Sequence, residues 1–367
     1  MSLGRTFWDL LRQRGQETAL IESGEGPSGL DHQPVPASTL QARAIRLALG
    51  LQSLGLGPGQ RVLLACPPSC EAMLLAIGAW MTGAVTVHLE PGLSETAMAE
   101  SISRSKAGWM VVDRLRTVAA LTAVADATVK EAKIILTDEE PPETPAVHTY
   151  EAVLKEGLGH QDKISALART LFQIPVESRA AILYWETQEV KAVALTHEEL
   201  IGALSPLPKR WGMESGESVL INMEMGGRNG LLATLRCLKH GLALVFAPDQ
   251  SRVMETAAAV GPRILVMDPE DLDTLLENVD LAVNDTAVRK TLKKGLGWID
   301  RQHRRRHEGA SSQAVTRLDG WLERDLADVL VKSLGGRFSI YWSPDAALGD
   351  DTRALLEAAE IEIMEGN

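Results

Sequence analysis

Short apolar runs alternate along the first third of the chain with segments in which apolar residues recur every three or four positions. The runs, bounded by Gly and Pro, predict buried strands, and the periodic segments predict amphipathic helices. The predicted strands cover 61–66, 84–89 and 108–112, and the predicted helices cover 40–54, 69–81 and 94–105. Strands separated by helices indicate βαβ units with right-handed crossovers in a parallel sheet. The Gly-, Ser- and Pro-rich stretch 23–36 is expected to be an irregular excursion.

The same alternation returns after residue 216, so the sequence predicts a second α/β subdomain of similar topology. Its strands are expected at 217–223, 242–247 and 263–267, and its helices at 230–239, 254–260 and 269–276. Two charged segments at 292–300 and 312–332 are expected to be helical. A helix at 351–359 and a strand at 361–364 complete the prediction.

A hairpin is predicted between the two halves. The apolar run 180–184 and the apolar run 190–195 flank a polar tip at 186–189. Thr196 then begins a helix and has Glu199 three residues later, which is the spacing of a capping box.

Composition narrows the classes of function. The formal net charge is −12, which argues against nucleic acid as a partner because phosphate binding needs a basic surface. No apolar run approaches the ~18 residues of a transmembrane helix, and the first residues do not resemble a signal peptide. Three cysteines, Cys66, Cys70 and Cys237, do not form a disulfide framework. A cytoplasmic location is therefore expected.

Residues on both sides of the predicted tip resemble the phosphate-loop segment of the adenylate-forming superfamily. That superfamily includes acyl-CoA synthetases, fatty-acyl-AMP ligases, adenylation domains and luciferases. The matching residues are Ile182, Leu183, Tyr184, Lys191, Val193, Leu195, Thr196 and His197. The segment 54–62, with Leu-Gly before Gly-Gln-Arg-Val, and Gly83-Ala84 before a strand extend the resemblance. The sequence Leu-Gly-Gly-Arg at 334–337 is similar to a strand that follows a helical arm in long-chain acyl-CoA synthetases.

The resemblance implies an α/β fold with two stacked doubly wound subdomains, like the large N-terminal domain of acyl-adenylating enzymes. It places an N-terminal subdomain at 1–175 and a second subdomain with the hairpin at 176–284. A helical arm at 285–333 and a return to the second subdomain at 334–367 follow. The family's small C-terminal domain, with its catalytic Lys, has no counterpart in this sequence.

The tip departs from the family pattern T-S-G-T-T-G-x-P-K-G-V. It is two residues shorter, contains no glycine, and keeps only Thr187 of the hydroxyl residues. Glycines let backbone N–H groups turn towards an anion. Here Trp185 adds bulk, while Glu186 and Glu189 add negative charge. Each carboxylate–phosphate contact costs on the order of several kcal/mol at an effective dielectric of ~20. The sequence predicts that the tip is a plug instead of an anion cradle.

The resemblance carries a degenerate cofactor-binding role onto Thr187, Lys191, Thr196 and His197. Each also has a simpler interpretation: Lys191 as a solvated charge, and Thr196 with His197 as a helix cap and a local hydrogen bond. The sequence assigns no catalytic residue and no metal ligand. The family's Glu that helps bind Mg²⁺ has no counterpart either.

The favoured hypothesis is a catalytically degenerate acyl-CoA synthetase-like protein that acts in binding, scaffolding or regulation and retains an acyl pocket. It uses no cofactor, and its partner is a protein, a second copy of the chain or an acyl ligand. The alternative is a minimal acyl-adenylate-forming ligase that uses ATP and Mg²⁺ through an altered loop or a C-terminal domain from another chain. A sensor that holds an acyl group or a nucleotide without reacting it is a third hypothesis.

Overall fold

The structure, a computed structural model, describes residues 1–26, 29–90, 92–137, 147–223, 227–282, 330–343, 347–358 and 360–365. Strands and helices alternate through both halves of the chain, and the strands form two seven-stranded sheets. The predicted α/β class is therefore confirmed. Among the described residues, no helix is both long enough and apolar enough to span a bilayer.

The bounds of the elements are as follows. The strands are β1 (Thr18–Gly26), β2 (Gly29–Pro36), β3 (Arg61–Ala65), β4 (Val85–Leu89), β5 (Trp109–Val112), β6 (Lys133–Leu136), β7 (Val147–Thr149), β8 (Arg179–Glu186), β9 (Val190–Thr196), β10 (Ser218–Asn222), β11 (Ala243–Val245), β12 (Ile264–Met267), β13 (Ile340–Ser343) and β14 (Glu362–Glu365). The helices are α1 (Leu3–Arg14), α2 (Ala37–Ser53), α3 (Cys70–Thr82), α4 (Glu95–Ser105), α5 (Leu115–Glu131), α6 (Tyr150–Leu158), α7 (Ile164–Gln173), α8 (His197–Ala203), α9 (Arg228–Lys239), α10 (Val253–Val260), α11 (Pro269–Ala282) and α12 (Asp350–Ala358).

The first compact unit comprises residues 1–20, 34–216 and 223–243. Its sheet has the order β7-β6-β5-β3-β4-β8-β9, in which every neighbouring pair is parallel except β8 and β9. Alternate side chains of these strands, such as Leu63, Val87 and Ile182, form a core with Ile102 of α4 and Leu121 of α5. Burial of this apolar face, at about 25 cal/mol per Å², provides the main driving force for the layer.

The second compact unit comprises residues 21–33, 217–222 and 244–367. The second sheet has the order β14-β13-β12-β10-β11-β1-β2, and within it β10, β12, β13 and β14 pair in parallel. Leu265, Tyr341 and Leu356 belong to the core of this unit. The predicted arm at 285–333 lies outside the described residues except for its last four positions.

Two local predictions are wrong for identifiable reasons. The predicted excursion at 23–36 contains strand β2, because tertiary pairing overrides the weak strand propensity of its Gly and Pro residues. The segment 334–338 is a turn, and β13 begins only at Ile340. Gly335 and Gly336 both have positive φ, and a Cβ on Gly335 would overlap the backbone of Gly261. Gly335 therefore permits a close backbone approach, whereas Gly336 has open space around it and its glycine suits the positive φ.

The hairpin belongs to the first sheet, although the sequence placed it in a second subdomain beginning at residue 176. Strand β8 pairs in parallel with β4, with Thr86 opposite Ala181. Its residues 180–184 are buried, which requires cover on both faces of the strand. In the first sheet, β8 lies between β4 and β9.

Candidate functional site

The hairpin tip lies at the carboxyl edge of the first sheet, where β3, β4 and β8 end. In open α/β sheets, ligands bind outside this edge. Strand pairing continues up to the pair Glu186 and Val190, so that only three residues form the tip. The N–H of Thr187 donates to the carbonyl of Glu189 at 3.2 Å. The tip is thus a tight turn, and the N–H of Thr187 is already hydrogen-bonded within that turn.

The carboxylate of Glu186 is bound by the protein itself. Its Oε2 accepts the backbone N–H of Ser94 at 2.8 Å, and its Oε1 accepts the Ser94 hydroxyl at 2.9 Å. Ser94 is the N-cap of α4, and its Oγ also accepts the N–H of Ala97 at 3.2 Å. A negative charge at a helix N-terminus is stabilised by the unpaired N–H groups there. The Glu186 carboxylate therefore occupies the position at the α4 N-terminus where an external anion could otherwise bind.

Two further hydrogen bonds fix the hairpin. Nη1 of Arg104, in the last turn of α4, donates to the carbonyl of Val190 at 3.1 Å and to Oε1 of Glu100 at 2.9 Å. The N–H of Glu90, which follows β4, donates to the carbonyl of Tyr184 at 2.9 Å. Helix α4 thus holds the hairpin through contacts at both of its ends. We call this arrangement the closed hairpin, meaning residues 184–191 with their bonds to α4.

The two aromatic residues before the tip lie in different environments. Tyr184 is buried in the core of the first unit, and burial raises the pKa of its phenol. Trp185 is half-buried, and its cross-strand partner is Lys191, whose side chain is exposed. That Trp185 plugs a cleft stays a prediction.

Thr196 forms the predicted capping box. Its Oγ1 accepts the N–H of Glu199 at 3.1 Å, and its own N–H donates to Oε2 of Glu199 at 2.8 Å. Both halves of the motif are present at the start of α8. The helix-capping interpretation of Thr196 is confirmed.

His197 is fully buried and holds the start of the chain. Its Nδ1 accepts the backbone N–H of Leu3 at 3.2 Å, and burial lowers the pKa of its imidazole to about 4. An Nδ1 that accepts a hydrogen bond carries no proton, so the ring is neutral and its proton is on Nε2. That Nε2 has no hydrogen-bond partner among the described residues. The ring is a structural anchor for α1.

The four predicted cofactor-binding residues do not converge. Thr187 and Lys191 lie at the tip, whereas Thr196 and His197 lie at the opposite end of β9. Lys191 and Thr196 are five positions apart in an extended strand, which corresponds to about 17 Å. Their assignment to one nucleotide site stays a prediction, and the two pairs have separate structural environments.

The closed hairpin differs from a phosphate loop in its hydrogen bonds and its charge. A phosphate loop presents several N–H groups to the anion, whereas here Thr187 donates within the tip and two carboxylates flank it. Over the described ranges, no group of three His, Cys, Asp or Glu side chains lies together in a metal-binding arrangement. We therefore derive no chemical step through ATP or Mg²⁺ at this site.

The pairing of Glu186 with Ser94 is the feature that sequence reasoning missed. The sequence predicts a helix start at Ser94, and it indicates for Glu186 only a charge that repels phosphate. The two residues are 92 positions apart, and no local pattern links them. Only the parallel placement of β8 beside β4 brings them together.

Comparisons with known proteins agree with this fold. The model of a family described as "AMP-binding enzyme" matches residues 9–306. Cyclo-acetoacetyl-L-tryptophan synthase of Aspergillus oryzae is 25% identical over 257 residues, which are 68% of this chain and 6% of that protein. Olefin beta-lactone synthetase of Xanthomonas campestris pv. campestris is 31% identical over 100 residues, which are 26% of this chain and 18% of that protein. This chain thus spans only a small part of these curated relatives.

Among solved structures, the N-terminal domain of FACL13 from Mycobacterium tuberculosis covers 100% of this chain and 75% of its own length, with a TM-score of 0.63 and 18% identity. At that identity, the likeness shows the fold alone.

Proposed function

The chain belongs to the AMP-binding enzyme family, and from that premise we propose that it is a binding or regulatory member that does not form acyl adenylates. Its ligand is an acyl group or a protein partner, and it acts without ATP or Mg²⁺. The observation that carries this proposal is the closed hairpin.

Three features of the closed hairpin support the proposal. The tip is too short to form a glycine-rich cradle, since strand pairing ends only at Glu186 and Val190. At the α4 N-terminus, the N–H and the hydroxyl of Ser94 already bind the carboxylate of Glu186. The guanidinium group of Arg104 could attract an anion, but it already donates to Glu100 and to the Val190 carbonyl. Opening the tip for phosphate would break the bonds of Glu186 to Ser94 and the bond of Arg104 to the Val190 carbonyl.

A second candidate function, acyl-adenylate formation, is favoured by the relatives. Proteins named as acetyl-coenzyme A synthetase and as salicyl-AMP ligase match parts of this chain at 34% and 30% identity. A ligase of this kind needs a rearranged tip and an additional domain, from the same or another polypeptide.

Pyrophosphate exchange with a panel of carboxylic acids separates the two candidates. The purified chain, E186Q and the double variant E186Q/E189Q are assayed beside an active family ligase as the positive control. We expect exchange at the no-enzyme level for all three proteins, because removal of charge leaves the tip too short to bind phosphate. Exchange by the parent chain with any acid would refute the proposal and establish the ligase.

Native mass spectrometry tests the binding half of the proposal. An acyl species retained through purification would identify a ligand-binding protein. Calorimetric titration with ATP and Mg²⁺ in the same preparation is expected to give no heat of binding. If ATP binds saturably and this binding is lost when the tip is altered, the closed hairpin does not prevent ATP binding and the proposal is contradicted.

A further inference from the structure

A pocket of about 410 Å³ opens at the amino edge of the first sheet, opposite the closed hairpin. It lies where β3, β4 and β8 begin, and its lining includes Arg61, Val85 and Arg179 from those three strands. Arg179 and Glu186 are the two ends of β8, so about 23 Å of strand separates the pocket from the tip. The pocket is therefore independent of the family's ligand edge.

The lining combines an apolar body with cationic groups. Val85, Ile174 and two prolines, Pro58 and Pro175, provide the apolar part. Arg61 and Arg179 provide two guanidinium groups, and the described lining contains no Asp or Glu. Small-molecule sites have this form: volumes of roughly 300–1,000 Å³, mostly apolar walls and a few polar groups that fix orientation.

Arg61 also makes a structural contact. Nη1 of Arg61 donates to the carbonyl of Ser105 at the end of α4. Helices α3 and α7 also end at this pocket, and a helix C-terminus carries about half a negative charge. Two full positive charges exceed these partial charges. Each guanidinium has five N–H donors, so one carbonyl contact leaves Arg61 with donors for a second acceptor.

We propose that this amino-edge pocket binds a small organic anion, in which an oxyanion headgroup is carried on an apolar body. The headgroup is bound by Arg179 and Arg61, whose planar guanidinium groups match carboxylate and phosphate oxygens. The apolar body contacts Val85, Ile174 and the prolines.

Matched probes test the requirement for charge. Cyclohexanecarboxylate, cyclohexyl phosphate, cyclohexylmethanol and cyclohexylmethylamine share one apolar body and differ in the headgroup. We expect the two anions to bind at least tenfold more tightly than the alcohol or the amine in calorimetric titrations. The tighter of the two anions identifies the headgroup. Equal affinity for anion and alcohol, or no binding of either anion at millimolar concentration, would overturn the proposal.

Variants test the site. R179Q is expected to weaken binding of the anions about tenfold, which is the effect of one charge-assisted hydrogen bond. The side chain of Arg179 is exposed, so this change leaves the core intact. R169Q is the matched control, because Arg169 is an exposed arginine on α7 that is not part of the lining. Unchanged affinity in R179Q, or equal loss in R169Q, would refute the site. In NMR titrations with the anions, the backbone amide chemical shifts of Gly59, Gly83 and Ser178 should change. Changes at the hairpin tip instead would also refute the proposed site.

Discussion

The buried imidazole of His197 makes the stability of this protein depend on pH in a specific way. Its Nδ1 accepts the N–H of Leu3, so protonation of that nitrogen removes a hydrogen bond and places a charge in the core. The substitution H197N tests this, because an Asn amide oxygen can accept the same N–H but does not titrate.

The magnitude follows from the lowered pKa. In the folded protein the imidazole has a pKa of about 4, against about 6.5 in an unfolded chain. Well above pH 6.5 the ring is neutral in both states, and there His197 adds no pH dependence. As the pH falls below 6.5, the unfolded chain binds the proton first, so the folded state loses stability. Integrating between pH 7 and pH 5 gives a loss of about 2 kcal/mol from this residue.

The assay compares parent and H197N by urea unfolding at pH 7, 6 and 5. Burial also lowers the pKa of His32, His148 and His240, but these residues are present in both proteins and cancel in the difference. We expect the parent to lose about 2 kcal/mol more than H197N over this range. A direct NMR titration should show no protonation of His197 above pH 5. Equal pH dependence of the two proteins, or titration near pH 6.5, would refute the anchor role.

Three other substitutions test the helix caps and helix packing. E186Q should weaken the closed hairpin by about 0.5–1 kcal/mol, because a neutral amide interacts less strongly with the α4 N-terminus, and faster amide exchange at the tip would show it. T196A removes the cap of α8 and should destabilise the chain by about 1 kcal/mol in urea unfolding; no change would contradict the capping box. G157A should destabilise by several kcal/mol or prevent folding, because a Cβ there overlaps the carbonyl oxygen of Arg46. Its control, G202A, has open space around the new methyl group and should be neutral or stabilising. Equal behaviour of the two glycine variants would refute the tight packing of α6 on α2.

Much of the architecture could be predicted because local patterns determine it. The helix predicted at 69–81 is α3, whose N-cap Ser69 accepts the N–H of Ala72 at 3.1 Å. The hairpin and the capping box at Thr196 also follow from residues close in sequence. In contrast, α5 and α7 were not predicted at all.

The candidate site was predictable only in part. The loss of the glycine-rich loop is a property of the sequence, and Thr187, Lys191, Thr196 and His197 were identified there. Their separation along β9 follows from the extended strand. Two features required the folded chain: the bond of His197 to Leu3, 194 positions away, and the bond of Glu186 to Ser94.

The sequence by itself determined the α/β class, the family resemblance and the chemistry missing from the tip, since all three depend on residue types at short spacings. The tertiary structure alone decided where the charge of Glu186 is bound, which strand pairs with β8 and which residues line the amino-edge pocket. These contacts join distant segments, and their free energy depends on burial and geometry that no local pattern contains.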